Sequence, residues 1–164
     1  MDAFRQFAMF RGLSTAEVLE LRRLTQEVKV PRGGIVFREG EAGDAAFLLL
    51  AGRAEVRKGA GAAERVLATL SPGDAAGEMA LLNEAARTAT VAAAEDAKFL
   101  RLTRTALLEL VRDNAPMAVK VYANMARLLA DRLRALGDEF ARKSAGGGAA
   151  TPEEITKVLS RTGL

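Results

Sequence analysis

Hydrophobic residues follow two different spacings along the chain, and the change between them divides it into regions. Near the N-terminus the spacing is helical. The residues that show it are Val18, Leu21 and Leu24. Ser14 and Glu17 precede the helix interior as an S-x-x-E capping box, in which hydroxyl and carboxylate each satisfy a free backbone N–H. The pattern predicts a helical region over residues 3–26.

The middle of the chain, residues 27–103, has short apolar runs separated by turn residues instead. The runs are VKV, GIVF, FLLL, AEVR, RVLATL and KFLRL, and the segments between them include PRGG, EGEAGD, KGAGAAE and SPGD. Gly, Pro and Asp supply the positive φ, the fixed φ or the side-chain hydrogen bonds that tight turns need. Short strands at near-regular spacing predict an antiparallel barrel or sandwich of about eight strands.

Residues 104–143 return to helical spacing. Thr103 or Thr105 is placed to cap a short helix that runs to Arg112. The segment DNAP then breaks the chain, and a second helix starts with Pro116 in its first turn. This helix carries an apolar stripe, formed by Ala118, Tyr122, Met125, Leu129, Leu133, Leu136 and Phe140. We therefore predict a mainly β fold with flanking helices and a long helix at its end.

Two segments follow the long helix. SAGGGAA at 144–150 has the composition of a flexible linker. The tail at 151–164 opens with a second capping box, formed by Thr151 and Glu154. It is too short to fold alone, so a docking helix and a frayed tail remain open alternatives.

Composition limits the chemistry that the chain can perform. Its 164 residues are enough for one domain with a core. It contains no Cys and no His, so it lacks thiolates, disulfides and the commonest metal ligand and general base. We expect neither a metal site nor a cofactor, and we expect that the chain is not an enzyme.

Charge and hydropathy favour a protein that works away from nucleic acid and membranes. The formal charge is +3, from 24 basic and 21 acidic residues, and no run of basic residues forms a stripe or tail that would contact several phosphates. The N-terminal MDAFRQFAMF lacks the apolar core of a signal peptide. No stretch approaches the ~20 apolar residues needed to cross a bilayer. We therefore expect a cytoplasmic protein with no nucleic-acid partner and no membrane partner.

The segment GEMALLNEAARTATV, residues 77–91, places an acid, Glu78, and a base, Arg87, in small and apolar surroundings. Small residues at Gly77 and Ala80 let a ligand approach the backbone, and free N–H groups at a helical turn attract an anion. An arginine facing those amides would hold a phosphate, and a carboxylate would accept from a sugar hydroxyl. The pattern is typical of a nucleotide cradle. The alternative is that Glu78 and Arg87 pair across a surface hairpin, worth about 0–1 kcal/mol.

The same segment resembles the phosphate-binding cassette of the cyclic-nucleotide-binding domain family, whose pattern is G-E-x-A-L-L, a spacer and R-T/A-A-T-V. That family includes regulatory parts of cyclic-nucleotide-dependent kinases, gated channels and the bacterial catabolite-activator transcription factors. EGEAGDAAFLLLAGRAEV is similar to the family's G-x-x-x-D-x-x-aromatic-x-apolar-x-x-G hairpin. The matching residues are Gly40, Asp44, Phe47 and Gly52. The resemblance covers roughly residues 4–143.

The resemblance implies an eight-stranded antiparallel β-roll with N-terminal helices and a long C-terminal helix, here a domain over residues 1–143. It implies that Glu78 binds the ribose 2′-hydroxyl and that Arg87 binds the cyclic phosphate, with backbone amides completing the cradle. The implied ligand-binding set is Gly77, Glu78, Met79, Ala80, Arg87, Thr88, Ala89 and Arg132. Ala76 departs from the family, since many members carry an aromatic residue there, and this should loosen the packing behind the loop.

The identity of the base depends on two parts of the resemblance. Thr88 in RTATV resembles a threonine with which cyclic-GMP-dependent kinases bond the guanine amino group. Because cAMP-binding channels carry threonine there as well, we favour cAMP over cGMP. The long helix caps the base in many relatives, which makes Arg132, Leu129 and Leu136 the candidates here. For Leu129 and Leu136 the alternative is a dimer or core stripe.

Three functions agree with these expectations. The first is a stand-alone sensor that binds cAMP or cGMP, forms a homodimer and signals through its last helix to an effector protein. The second is a sensor fragment of a catabolite-activator-type regulator, because the 21 residues after Lys143 are too few for a helix-turn-helix domain. The third is a degenerate interaction module that binds no nucleotide, against which the presence of Glu78 and Arg87 argues.

Overall fold

Eight short strands form the centre of the molecule in a computed structural model, which describes residues 2–145. They are β1 (Thr25–Val30), β2 (Ile35–Phe37), β3 (Ala45–Ala51), β4 (Ala54–Lys58), β5 (Arg65–Leu70), β6 (Ala75–Ala76), β7 (Thr90–Ala93) and β8 (Ala97–Thr103). They pair antiparallel in two four-stranded sheets, ordered β1-β8-β3-β6 and β2-β7-β4-β5. The predicted fold class is confirmed, although β6 and β7 correspond to none of the six apolar runs.

Two short helices and a 3-10 turn precede the sheets. They are α1 (Asp2–Arg5), the turn Ala8–Phe10 and α2 (Thr15–Arg23). The Ser14 hydroxyl accepts from the Glu17 N–H at 3.3 Å, and the Ser14 N–H donates to the Glu17 carboxylate at 2.7 Å, which confirms the predicted capping box. The predicted helical region over 3–26 is not continuous, because Gly12 adopts a φ of 79° and β1 already begins at Thr25.

Two further helices follow the sheets, α3 (Arg104–Asp113) and α4 (Ala115–Ala145). Of the two candidate caps, Thr103 is the one used, since its hydroxyl accepts from the Ala106 N–H at 3.0 Å. Asn114 separates the helices, and its side-chain oxygen accepts from the Met117 N–H at 3.3 Å. The last two residues of α4 fall within the predicted linker. The remainder of that linker and the tail predicted at 151–164 lie outside the described residues.

The hydrophobic core has two parts, one on each side of the first sheet. The first part joins that sheet to the helices and includes Phe7, Phe10, Leu21, Leu48, Leu102, Leu107 and Met117. The second part fills the space between the two sheets and includes Val30, Phe37, Phe47, Leu49, Val91 and Phe99. The helices are therefore packed on one face of the roll, and the opposite face of the first sheet is turned to the second sheet.

The first half of α4 belongs to this core. Val121 and Met125 are buried, and the helix packs against the 3-10 turn near the N-terminus. Asn124 is buried as well, and its amide donates to the Met9 and Arg11 carbonyls at 3.2 and 2.7 Å. These hydrogen bonds satisfy a buried polar side chain and fix α4 against the N-terminal segment.

The apolar stripe predicted along α4 divides into two faces. Ala118 and Met125 are buried in the chain's own core. A different set of residues, seven positions apart, is exposed: Val119, Ala126, Leu133 and Phe140. Tyr122 and Leu129, half-buried, lie between them. Leu133 and Phe140 are 62% and 46% exposed, and this spacing is that of a coiled-coil seam. The Leu136 side chain lies outside the described ones.

The hairpin matched by the second motif shapes one end of the roll. Gly52 adopts a φ of 83°, and a Cβ there would lie 2.3 Å from the Asp96 carbonyl oxygen. The Asp44 carboxylate pairs with Arg101 on β8. The Gly40 N–H donates to the Arg87 carbonyl at 2.9 Å. These contacts agree with a structural role for the motif, and Gly40 connects the motif to Arg87.

Candidate functional site

A cavity of about 480 Å³ lies between the second sheet, residues 77–91 and α4. Most of its wall is apolar, and the larger apolar side chains that line it are Phe37, Val56, Leu70, Met79, Val91 and Leu128. Four charged residues also line it: Asp74, Arg87, Asp131 and Arg132. Small-molecule sites typically enclose about 300–1,000 Å³ and combine apolar walls with a few polar groups. The cavity has the size and the lining of such a site.

Residues 77–91 form the cassette. It opens with a turn that only glycine fits. Gly77 adopts a φ of 72° between β6 and the 3-10 turn Glu78–Leu81. A Cβ at this position would lie 2.2 Å from Arg87 Nη1. The missing side chain therefore provides the space that the Arg87 guanidinium occupies.

Arg87 is 7% exposed and is held mainly by main-chain atoms. Its Nη2 donates to the Ala45 carbonyl at 2.8 Å, and its Nη1 donates to the Gly77 carbonyl at 3.2 Å. The guanidinium carbon lies 4.2 Å from the centre of the Phe37 ring, a cation–π contact. Nε is buried and has no hydrogen-bond partner among the described residues. Arg87 therefore keeps a free donor in a fixed position.

Burial lowers the pKa of Arg87, because a cation is less stable away from water. The negative charges of Asp44 and Glu41 oppose this shift of the Arg87 pKa, and the positive charge of Arg101 adds to it. Arginine remains protonated in proteins, so the cassette holds a permanent and poorly solvated positive charge beside the cavity. Such a charge favours an anionic ligand.

Glu78 is 3% exposed and does not pair with Arg87. Its Oε1 contacts Nη1 of Arg132 on α4, and its Oε2 has no hydrogen-bond partner among the described residues. The alternative in which Glu78 and Arg87 pair across a surface hairpin is therefore wrong, because both side chains are buried and each has different partners. The carboxylate keeps one oxygen free to accept a hydrogen bond.

Arg132 is the predicted α4 residue that reaches the cavity. Burial lowers the pKa of Arg132, and the negative charge of Asp74 opposes that shift. Its neighbours on the cavity wall are Leu128 and Ala135, one turn away on either side. Leu129, predicted beside Arg132, is not among the residues that line the cavity. Leu128, one position earlier, lies on the helix face that Arg132 shares and forms that part of the wall.

The remaining predicted residues lie on the cassette with different exposures. Met79, Ala80, Thr88 and Ala89 all line the cavity. The Ala80 N–H already donates to the Gly77 carbonyl at 3.1 Å within the 3-10 turn, so it can only share its hydrogen with an anion. Thr88 is exposed, and its carbonyl accepts from Lys58 Nζ at 2.6 Å. The roles of these residues toward a ligand stay predictions.

Sequence reasoning missed several residues of the wall. Phe37 is the most important of them, since its ring supports Arg87 and it packs 5.7 Å from the Phe47 ring. Leu128 on α4 and Asp74 before β6 were also missed. The signal for Phe37 was present, because an aromatic residue ends the apolar run GIVF. Its role depends on a partner 50 positions away in the sequence, which periodicity alone does not reveal.

Metal binding and membrane insertion would each need a recognisable feature in the described part of the chain. Residues 2–145 contain no group of three or more carboxylate, His or Cys side chains that would hold a metal ion. None of the described helices combines the length and the apolar character that a membrane span requires.

Comparison with known protein families connects this geometry to a class of domain. The sequence model described as "Cyclic nucleotide-binding domain" matches residues 27–114, which include the whole cassette and seven of the eight strands in full. The chain belongs to the cyclic nucleotide-binding domain family. The resemblance is thereby confirmed, and the cassette that carries it bounds the cavity of this cyclic nucleotide-binding domain.

Individual relatives agree with this assignment. The chain is 39% identical over 127 residues to the "Cyclic AMP receptor protein" of Thermus thermophilus, which covers 77% of this chain and 57% of that protein. The crystal structure of the Thermus thermophilus catabolite activator protein superimposes with a TM-score of 0.74 at 37% identity, over 84% of this chain and 63% of that one.

A eukaryotic relative has the same fold. The regulatory domain of Toxoplasma gondii PKA, in a co-crystal structure with cAMP, superimposes with a TM-score of 0.61 at 30% identity, over 70% of this chain and 44% of that one. The chain spans slightly less than three fifths of the length of the bacterial relatives it matches, 57% to 58%.

Proposed function

We propose that this domain binds one 3′,5′-cyclic mononucleotide per chain, cAMP in preference to cGMP, and that it acts as a sensor. One observation carries the proposal. Two buried side chains of opposite charge each keep an unpartnered polar atom: Nε of Arg87, which lines the cavity, and Oε2 of Glu78, whose other oxygen contacts the lining residue Arg132. Buried polar atoms are normally satisfied, so this arrangement suits a ligand that offers both an anionic acceptor and a hydroxyl donor.

In the proposed complex the phosphate lies against Arg87 and the ribose hydroxyl donates to Glu78. The apolar wall from β4 and β5, together with Leu128 on α4, then accommodates the base. The preference for cAMP is supported by the names of the relatives, which include a cyclic AMP receptor protein and a regulatory domain crystallised with cAMP. Binding without catalysis and a cytoplasmic location are further parts of the proposal.

Calorimetric titration of the purified chain with cAMP, cGMP and cyclic dinucleotides tests this function. We expect one site per chain and the tightest binding for cAMP. Adenosine, which lacks the phosphate, and 2′-deoxy-cAMP, which lacks the ribose hydroxyl, separate the two halves of the cradle. No heat and no change in melting temperature with any cyclic nucleotide would contradict the proposal and favour a degenerate interaction module.

We propose that the domain signals through α4 to an effector protein. The helix wall of the cavity is connected to the ribose site, because Arg132 pairs with Glu78. A ligand shifts a conformational equilibrium only by its difference in affinity for the two states, and a hydroxyl that competes for Glu78 supplies such a difference. Hydrogen exchange with and without cAMP should change in residues 77–91 and 125–140 together. A response of the cassette alone would contradict a relay through α4.

The exposed seam of α4 supports a parallel homodimer. Its apolar residues recur every seven positions, and a second copy of the same helix is the partner that matches this spacing. Leu133→Glu would place a charge in the seam. Ser71→Glu introduces the same charge at an exposed turn residue outside the seam. Light scattering should show a dimer for the parent and for Ser71→Glu and a monomer for Leu133→Glu. A monomeric parent at high micromolar concentration would exclude this assembly.

The second candidate function is the sensor part of a catabolite-activator-type transcription regulator. The observation that favours it is coverage, since the chain spans 57% of a bacterial cyclic AMP receptor protein. Immunoblotting of the source cells with an antibody against this domain would separate the two candidates. A band near 17.4 kDa, the mass of this chain, supports the stand-alone sensor, and a clearly larger band supports the regulator.

A further inference from the structure

Lys58, at the end of β4, contacts the cassette from outside the cavity. Its Nζ donates to the Thr88 carbonyl at 2.6 Å and lies 3.0 Å from Glu39 Oε1. Glu39 is fixed in turn, because its other oxygen accepts from the Gly59 N–H at 3.0 Å. Thr88 and Ala89 line the cavity, whereas Lys58 does not. The ammonium group therefore acts on the cassette from the side opposite a ligand.

The bonded Thr88 carbonyl shares its peptide unit with the Ala89 N–H. A trans peptide is planar, so its C=O and N–H point in opposite directions. Within the described residues, the Ala89 N–H donates to no main-chain acceptor. A carbonyl held toward Lys58 therefore turns this N–H toward the cavity side of the loop, which Arg87 also borders.

We propose that Lys58 is a positioning residue for anion binding, which aims the Ala89 N–H into the cavity by holding the Thr88 carbonyl. The ammonium also places a positive charge at the far end of the same peptide dipole, and a polarised amide is a stronger donor. The inference rests on the proposed function and deepens it. It assigns part of the affinity for the phosphate to a side chain that never touches the ligand.

A purely structural role would have a different signature. Lys58 and Glu39 together fasten the β4–β5 hairpin to the segment after β2. If that clamp were the only role, then loss of either partner would affect ligand binding equally. If Lys58 positions the peptide, then loss of Glu39 matters less, because Lys58 alone contacts Thr88. Substitution of each partner of this ion pair in turn therefore distinguishes the positioning role from the purely structural one.

The experiment compares four variants with the parent chain by calorimetric titration with cAMP. Lys58→Met should weaken binding by about 5- to 10-fold, while Lys58→Arg, which keeps a cationic donor, should restore affinity to within about 2-fold. Glu39→Gln should also stay within about 2-fold. Lys98→Met is the matched control, because Lys98 also lies on a strand and pairs with a glutamate, Glu27, in the other sheet.

A spectroscopic readout isolates the peptide itself. In ¹⁵N-labelled protein, saturating cAMP should shift the Ala89 amide proton downfield in the parent and clearly less in Lys58→Met, with the Gly77 amide unaffected by the variant. Three outcomes would each overturn the inference. Two concern affinity for cAMP: equal affinities of Lys58→Met and Lys98→Met, or equal losses of affinity in Lys58→Met and Glu39→Gln. The third is an Ala89 amide shift on cAMP binding that is the same in Lys58→Met as in the parent. Failure of the parent to bind cAMP would instead remove the proposed function on which it rests.

Discussion

Arg87 on the cassette and Arg132 on α4 face the same cavity, but different groups hold them. Arg87 donates to two main-chain carbonyls and lies over the Phe37 ring. Arg132 pairs with one side chain, Glu78, across two elements of the fold. The two main-chain acceptors, in β3 and in the turn after β6, have no side-chain rotamers through which to turn away, whereas a side-chain carboxylate has rotamers and can exchange its partner for a hydroxyl. The cassette wall is therefore the fixed half of the cavity, and the helix wall is the half that can be displaced.

This difference assigns different tasks to two similar residues. A fixed guanidinium provides a preformed place for an anion, so little conformational entropy is lost on binding. In the proposed complex, a guanidinium paired with the carboxylate that binds the ribose would make the position of α4 depend on the ligand. Affinity should come mostly from the cassette wall, and communication should come mostly from the helix wall. Substitutions on each wall test that division.

Removal of the Arg87 guanidinium should have the largest effect on binding. Arg87→Ala deletes a buried cation and its charge-assisted hydrogen bonds, so we expect cAMP to bind about 3 kcal/mol more weakly, a loss on the order of 100-fold. Arg87→Lys should recover little of this, because an ammonium cannot reproduce the fork of donors. Calorimetry measures both.

Arg53→Ala is the control for Arg87→Ala. The Arg53 side chain is exposed and lies 3.9 Å from Glu95 on the surface, so its loss should leave affinity unchanged. Affinity of Arg87→Ala within about 3-fold of the parent, a difference of only about 0.7 kcal/mol, would show that the cassette wall is not the anion site. The division between the two walls would then be wrong.

Gly77→Ala should displace Arg87 without removing it. Its Cβ would lie 2.2 Å from Arg87 Nη1, in a backbone with a φ of 72°. Gly12→Ala is the matched control, because its φ is 79° and no atom lies within 4 Å of the added Cβ. Both variants should lose about 1 kcal/mol of unfolding free energy from backbone strain.

Only Gly77→Ala should also weaken cAMP binding, by roughly 10-fold, equivalent to about 1.4 kcal/mol. Chemical denaturation measures the shared strain, and calorimetry measures the effect on the site. Equal affinities of the two variants would mean that the Arg87 position does not depend on the open space at Gly77, and the cassette wall would be less rigid than the structure indicates.

The fixed half of the cavity is also the half that the sequence predicts well. Gly77, Glu78 and Arg87 lie within one short segment, so their spacing is visible in the sequence, and small residues beside charged ones indicate close backbone approach. Six of the eight strands are predictable for a similar reason, since turn residues separate the six apolar runs, whereas β6 and β7 correspond to none of those runs. Local patterns that have a local physical cause can be interpreted from the order of residues alone.

The displaceable half was predicted less accurately because it depends on contacts between distant segments. The sequence predicts Arg132 at the ligand site, and Arg132 lines the cavity, but its pairing with Glu78 is not visible in the sequence. The sequence also points to Leu129, whereas Leu128 lines the wall. The sequence identifies which helix residue faces the cavity only to within about one position, because it does not give the position of the roll on which the helix packs. The stripe on α4 likewise contained two faces, because Ala118 and Met125 turn inward while Leu133 and Phe140 stay exposed.

Arg132→Met should destabilise the chain by about 1–2 kcal/mol, because it leaves the Glu78 carboxylate buried without its cation. The full penalty of a buried charge is not expected, since the Arg132 side chain is 23% exposed. Glu78→Gln in the same chain should recover part of the loss. Denaturation of the single and double variants gives a coupling energy, expected near about 1 kcal/mol.

The matched cycle combines Glu78→Gln with Arg87→Ala. These two residues share no contact in the described structure, so their coupling energy should be within about 0.3–0.5 kcal/mol of zero. For ligand binding, Glu78→Gln should cost less than Arg87→Ala, because an amide still accepts one hydrogen bond. Equal coupling energies in the two cycles would show that Glu78 interacts no more strongly with Arg132 on the helix wall than with Arg87.

The smallest effect is expected where α4 is fastened to α2. The Glu17 carboxylate accepts from Lys120 Nζ and from the Ser14 N–H, both at 2.7 Å. These bonds, the one from Lys120 first, lower the pKa of Glu17 below its ordinary value of 4.5, and burial opposes them. The folded pKa lies below the unfolded pKa, so the stabilisation is complete above about pH 4.5 and is lost as the pH falls through the folded value.

Glu17→Gln should therefore lower the unfolding free energy by up to about 1 kcal/mol at pH 7, and the variant and parent should converge in acid. Glu109→Gln, at an exposed position on α3, is the control and should show no such convergence. Hydrogen exchange at pH 7 connects the result to the two walls. It should quicken in residues 115–125, where Lys120 anchors the helix, and stay unchanged in residues 77–91, because the cassette has its own main-chain anchors. Faster exchange in both segments would show that the two halves of the cavity move as one body, and a ligand would then have no displaceable wall to act on.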